Sequence, residues 1–135
     1  MTDTITKTHQ FDSPIAKVWE AITVADKISD WFIKADFKAE KGYKYTFTHQ
    51  QTIITGEVLK ARPVYDLVYT WIVGNTNVQT IVSWKLEETE TGTLLTLEHS
   101  GISKYPTDTA IAMFDSFKTG WSNCITNLHS YLKAN

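Results

Sequence analysis

From Thr107 onward, apolar residues recur every three or four positions: Ile111, Phe114, Phe117, Trp121, Cys124, Ile125, Leu128 and Leu132. That spacing predicts one long amphipathic helix reaching the C-terminus, with an aromatic stripe on its apolar face. Upstream the pattern is mostly alternation. Thr4 to Phe11 sets Ile5, Lys7 and His9 against Thr4, Thr6 and Thr8, which reads as a strand. Asp12-Ser13-Pro14 reads as a helix start, with Ser13 as N-cap and Pro14 at the first helical position. Ile15, Val18, Trp19 and Ile22 form one apolar face, Thr23 to Asp26 interrupts it, and a second short helix carries Ile28, Trp31 and Phe32.

Strand patterns then follow in succession. Ala35 to Glu40 is short. Tyr43 to His49 puts Tyr43, Tyr45, Phe47 and His49 on one face. Ile53 to Ala61 follows, and Pro63 punctuates. Tyr65, Leu67, Tyr69, Trp71 and Val73 alternate with Asp66 and Thr70, and Gly74-Asn75 signals a turn. Val78, Val82, Trp84 and Leu86 share a face of the next strand. After a loop over Glu88-Thr89-Glu90-Thr91-Gly92, the last strand runs from Thr93 to His99. Short links between consecutive strands imply an antiparallel meander. The expected architecture is α+β: a curved antiparallel sheet of about six or seven strands wrapped around the C-terminal helix, with two short helices after the first strand. A rod lying in a bent sheet can leave a hollow, the leading candidate for a functional site.

At 135 residues the chain reads as a single domain over 1–135, long enough to bury roughly 68% of its unfolded surface. A net charge of −2 supplies no basic field for nucleic acid. Arg62 is the one arginine, so planar capture of phosphate or carboxylate is disfavoured. The single cysteine, Cys124, excludes an internal disulfide, and its place on the apolar helix face marks an inert core residue. Met1-Thr2-Asp3-Thr4 lacks a signal-peptide layout, and no apolar run approaches a membrane span. The expectation is a cytoplasmic protein with no membrane segment. Aromatic residues make up 13% of the chain, with five tryptophans, a composition that suits either a filled core or the walls of a small-molecule site.

Several stretches together resemble one family. Phe11-Asp12-Ser13-Pro14-Ile15-Ala16-Lys17-Val18-Trp19-Glu20-Ala21-Ile22 is similar to its opening motif, and Asp30-Trp31-Phe32 to the aromatic pair ending its second short helix. Pro63 with Leu67-Val68-Tyr69-Thr70-Trp71 resembles its central strand. His99-Ser100-Gly101 and Gly120-Trp121, followed by Leu128 and Leu132, resemble its closing signature. The family is that of the single-domain homologues of the activator of the heat shock protein 90 ATPase, within the START-like, helix-grip superfamily also called SRPBCC or polyketide cyclase-like. The resemblance covers nearly the whole chain. It implies a helix-grip fold and, for most such domains, no enzymatic activity. A chaperone partner is a lower-ranked implication, because the chain opens directly with the helix-grip domain.

The first functional expectation is a non-enzymatic module that binds a hydrophobic or aromatic small molecule between the C-terminal helix and the sheet. Its candidate lining is Phe114, Phe117 and Trp121 from the helix, Tyr45, Phe47, Tyr69, Trp71, Val82 and Trp84 from the sheet, and Trp31 and Phe32 closing one end. His99, at the end of an apolar strand face, would orient a ligand; His49 is a weaker candidate, and His9 and His129 read as surface residues. The second expectation is a cyclase- or hydratase-like enzyme using the same hollow, with His99 or Tyr69 as acid or base. Glu57 and Glu98 are candidate buried acids. Ser100 beside His99 forms no dyad, because strand neighbours point to opposite faces, and no GxSxG elbow exists. No HExxH, His-x-His or cysteine pair suggests a metal, and no glycine-rich loop suggests a nucleotide. No cofactor is expected. Gly120 inside the long helix reads first as a close packing contact and, as the alternative, as a bend or gap that shapes a pocket. An exposed strand edge would suit a homodimer as well as a monomer.

Overall fold

The computed structural model describes residues 3–74 and 76–134. Seven strands form one antiparallel sheet: β1 (Ile5–Phe11), β2 (Lys34–Asp36), β3 (Lys44–His49), β4 (Thr52–Arg62), β5 (Asp66–Val73), β6 (Thr80–Glu88) and β7 (Thr93–Ser100). Two short helices, α1 (Ile15–Thr23) and α2 (Ala25–Trp31), follow β1, and α3 (Thr107–Ala134) ends the chain. The sheet order is β1-β7-β6-β5-β4-β3-β2, a meander whose last strand pairs with the first, from Ile5 opposite His99 to Phe11 opposite Thr93. This is an α+β helix-grip fold.

Alternation along each strand decides which residues face α3. Tyr45, Phe47, Leu67, Tyr69, Trp71, Val82, Trp84, Leu86, Leu95 and Leu97 are all buried on the inner face. They meet Trp121, Cys124, Ile125, Leu128 and Leu132 of α3 in the main core, which also takes Val18, Ile22, Ile28 and Trp31 from the short helices. A smaller cluster gathers Ile5, Ile102, Tyr105 and Ala110, with Met113, Phe114 and Phe117 against it.

Helix α1 ends where Thr23 turns its hydroxyl back to the Trp19 carbonyl (2.7 Å). Val24, extended at φ −86°, separates it from α2. The Trp31 indole N–H donates to the Ala21 carbonyl (2.7 Å), tying the two helices together. Strand β4 slips register between Val58 and Lys60, a bulge that sharpens the sheet's twist. Just before it, side chains take over from the β4–β5 ladder. The Tyr45 hydroxyl donates to the Thr70 carbonyl, and the Glu57 amide donates to the Thr70 hydroxyl (2.8 Å). Gly56 makes room for this: a Cβ there would lie 2.0 Å from the Thr70 carbonyl oxygen and 2.7 Å from the Tyr45 ring. At the end of β7, Gly101 adopts φ +85°, a left-handed conformation natural to glycine, and turns the chain into a single 3₁₀ turn, Ile102–Lys104, that leads to α3.

Several local expectations are corrected. Pro14, with ψ 150°, is itself the non-helical cap of α1, and no side chain caps that end; the Pro14 carbonyl receives the Lys17 and Val18 amides, leaving Ser13 outside the helix. Ile111 is 59% exposed, because α3 turns Ala110 inward instead. Val78 precedes β6 and lies outside it. Glu57 and Glu98 are exposed on the outer face of the sheet. His9 and His129 are half-buried, and His9 Nε2 lies 3.0 Å from His129 Nδ1, joining β1 to α3. Gly74 takes the expected turn conformation at φ +50°; Asn75 falls outside the described residues. No described helix is long and apolar enough to cross a membrane.

Candidate functional site: a hollow under the first half of α3

Helix α3 is buried unevenly. From Trp121 onward it sinks into the trough through Trp121, Cys124, Ile125, Leu128 and Leu132, whereas before Trp121 only Ala110 is buried. Where the first half stands away from the sheet, a cavity of about 360 Å³ opens, within the range of small-molecule sites. Trp71 and Ile54, inward residues of β5 and β4, form its floor with Trp121. Phe32 and Ile33, just after α2, form one wall, and Phe117 of α3 forms another. The exposed residues His49, Thr52, Ser116 and Gly120 mark the mouth, with Val73 beside it. Among the described residues, no Asp, Glu, Lys or Arg lines the cavity.

The floor is fixed from below by a relay of hydrogen bonds. The Trp121 indole N–H donates to His99 Nδ1 (2.9 Å). An indole nitrogen only donates, so Nδ1 must accept, and the neutral imidazole carries its proton on Nε2. That Nε2–H donates to the Thr80 hydroxyl (2.7 Å), which in turn donates to the Trp71 carbonyl (3.2 Å). His99 is completely buried, and desolvation pushes its pKa down to about 4. Its ring packs 4.6 Å from that of Phe117. The Trp71 and Trp121 rings lie 5.2 Å apart, and Phe32 is 6.2 Å from Trp121. Trp71 brings one further feature: its buried Nε1–H has no hydrogen-bond partner among the described residues. A buried donor left unpaired is uncommon and costly.

Of the residues expected to line a site, the structure brings Phe32, Trp71, Phe117 and Trp121 together around the cavity. The others fill space elsewhere. Trp31 stacks behind Phe32 (5.4 Å). Tyr45, Phe47 and Tyr69 interlock with Phe37 in a closed aromatic cluster. The Trp84 indole N–H donates to the Tyr69 hydroxyl (2.9 Å), and burial pushes that hydroxyl well above the ordinary tyrosine range. Val82 is fully buried in the main core, and Phe114 packs on the smaller cluster. His99 braces the floor from beneath. Ile33, Thr52, Ile54, Val73 and Ser116 went unsuggested by sequence, whereas Gly120 stands out there as a glycine inside the helix. Inward alternation marks Ile54 and Val73; nothing local marks Ile33, Thr52 or Ser116. At Gly120 the expected packing contact is absent: a Cβ there would meet nothing within 4 Å.

The described residues contain no group of three or more His, Cys, Asp or Glu placed to hold a metal ion. A second recess, of about 50 Å³ beside Phe11, Ser13 and His129, has room for little more than water.

Comparison with known proteins agrees with this architecture. The family model described as activator of Hsp90 ATPase homolog 1-like protein matches residues 12–133. Protein MLL2253 from Mesorhizobium loti is 28% identical, with 98% of each chain covered and a TM-score of 0.87. Protein BH1534 from Bacillus halodurans is 27% identical over 98% of this chain and 99% of its own, with a TM-score of 0.81. CalU16 from Micromonospora echinospora is 25% identical over 96% of this chain and 75% of its own, at a TM-score of 0.76. The comparison with curated proteins gave no match. With a family match over nearly all of its length and the helix-grip architecture in place, the chain belongs to the activator of Hsp90 ATPase homolog 1-like family of START-like proteins.

Proposed function

We propose that this protein binds an uncharged, largely aromatic small molecule in the hollow beneath the first half of α3, without transforming it. The observation that carries this reading is the cavity itself: about 360 Å³, walled by Trp71, Trp121, Phe117 and Phe32, and lined by no carboxylate, lysine or arginine. A charged ligand would lose hydration there with only His49, at the mouth, to answer its charge, whereas flat apolar rings gain both burial and stacking.

Binding fits the site better than catalysis does. His99 uses both ring nitrogens inside the core, and the Tyr69 hydroxyl is held by Trp84. Neither residue lines the cavity, so neither is placed to exchange a proton with a guest.

The test is titration with N-phenyl-1-naphthylamine, an uncharged probe that brightens in apolar surroundings. Trp71 and Trp121 serve as intrinsic reporters. The expected result is saturable binding in the micromolar range and quenching of tryptophan emission. If neither signal changes for this probe or for a panel of uncharged bicyclic and tricyclic aromatics, the binding reading fails. Faster ATP turnover by the chaperone on mixing, in the absence of ligand binding, would support a partner role in its place.

A further inference from the structure

We propose that Gly120 is the specificity-determining position of the hollow: the volume its side chain leaves empty is occupied by the outer part of the ligand, and residue size here sets what the site admits. The inference builds on the binding reading above. Glycine is among the poorest helix formers, yet Gly120 sits deep inside the long helix α3. Two ordinary reasons for a helix glycine do not apply. Its backbone is not among the positive-φ glycines, and an added Cβ would meet nothing within 4 Å. Gly56 marks the contrast, since a Cβ there would collide with the Thr70 carbonyl.

The empty space beside Gly120 belongs to the cavity, which Gly120 helps to line. Residues one turn apart share a helix face. Along α3 the small residues Ser116 and Gly120 are exposed at the mouth, and each is followed directly by an aromatic that reaches deeper, Phe117 and Trp121. The helix thus presents small residues at the lip and large rings below. Any side chain except proline at position 120 would improve the helix and narrow the mouth. Glycine gives up helix stability and keeps the mouth wide. The guest this suits is a planar, fused or linked ring system whose far edge emerges past α3.

The experiment pairs thermal melts with N-phenyl-1-naphthylamine titrations of the wild type and of Gly120→Ala, Gly120→Leu and Gly120→Met, with Thr119→Leu as a control on the exposed, non-lining side. Gly120→Ala should raise Tm by about 3–5 °C while weakening the probe severalfold. Gly120→Leu and Gly120→Met should stay folded and weaken it at least about tenfold, and Thr119→Leu should bind as the wild type does. A Leu variant that is folded and binds with unchanged Kd overturns the assignment, as does a Gly120→Ala variant with lowered Tm, which would mean that glycine is needed for packing after all. A wild type that binds no probe instead overturns the binding reading, and the Tm of Gly120→Ala remains a separate readout.

Discussion

The Trp121 indole N–H points at His99 Nδ1 across 2.9 Å, so the orientation of one floor ring depends on a histidine beneath it. Replacing His99 with Phe leaves that N–H buried with no acceptor. Such a loss costs about 1–3 kcal/mol, measurable as a lower urea midpoint. The Trp121 ring should also lose its fixed pose, weakening N-phenyl-1-naphthylamine binding. His99→Gln, which keeps an acceptor, should recover part of both. Equal probe affinity in the wild type and the Phe variant would show that His99 does not shape the floor.

The same histidine makes stability depend on pH. In the unfolded chain it titrates near about 6.5; in the fold, burial holds it at about 4. The unfolded state therefore binds more protons between these values, and stability rises with pH across the window. The contribution is complete above pH 6.5 and is lost as pH falls towards 4, amounting to about 3 kcal/mol. His9, lowered first by burial and then by the neighbouring His129, acts in the same direction. Urea midpoints measured from pH 7.5 down to 4 should fall, and His99→Gln should flatten the curve to the part left by His9 and, near pH 4, by Asp3, whose carboxyl is lowered by hydrogen bonds from Ser103. A slope unchanged in His99→Gln would assign the acid sensitivity to other groups.

Gly56 responds to substitution in the opposite sense to Gly120. With the Thr70 carbonyl oxygen 2.0 Å from the position of an added Cβ, Gly56→Ala must push β4 away from β5 or displace the Tyr45 ring. Overpacking of this kind costs about 3 kcal/mol, and circular dichroism melts should show it. A Tm equal to the wild type would mean that this part of the sheet yields easily.

Cys124 is 3% exposed, and burial pushes its thiol far above the ordinary cysteine range. Thiolate is the reactive form, so a disulfide-exchange reagent should leave the native protein unlabelled and label it fully in denaturant. Rapid labelling under native conditions would indicate that α3 detaches from the trough.

The order of elements and the helix grip were legible because they rest on local periodicity. Inward alternation at Tyr45, Phe47, Tyr69 and Trp71, and helical spacing from Trp121 to Leu132, are properties of short segments. The outline of the cavity was not legible. Trp71 and Tyr69 lie two residues apart on the same strand face, yet one lines the hollow and the other closes the core. The difference comes from where α3 leaves the sheet and where the β3–β4 hairpin ends, both settled by contacts far apart in sequence. Ile111 misled because its spacing fits the apolar stripe, yet α3 turns Ala110 inward against Ile5 and leaves Ile111 facing solvent. Gly120 was visible as an anomaly, and only the space around it gave the anomaly a cause.

Helix α3 rests on two footings, Ala110 in the smaller cluster and the run from Trp121 to Leu132 in the main one. The residues between them are held more lightly, through the half-buried Met113, Phe114 and Phe117. Amide hydrogen exchange should therefore be faster over 111–120 than from Trp121 onward, because local opening needs less energy where fewer apolar contacts must break. A guest would enter by bowing this stretch while both footings hold, so uptake would proceed without global unfolding.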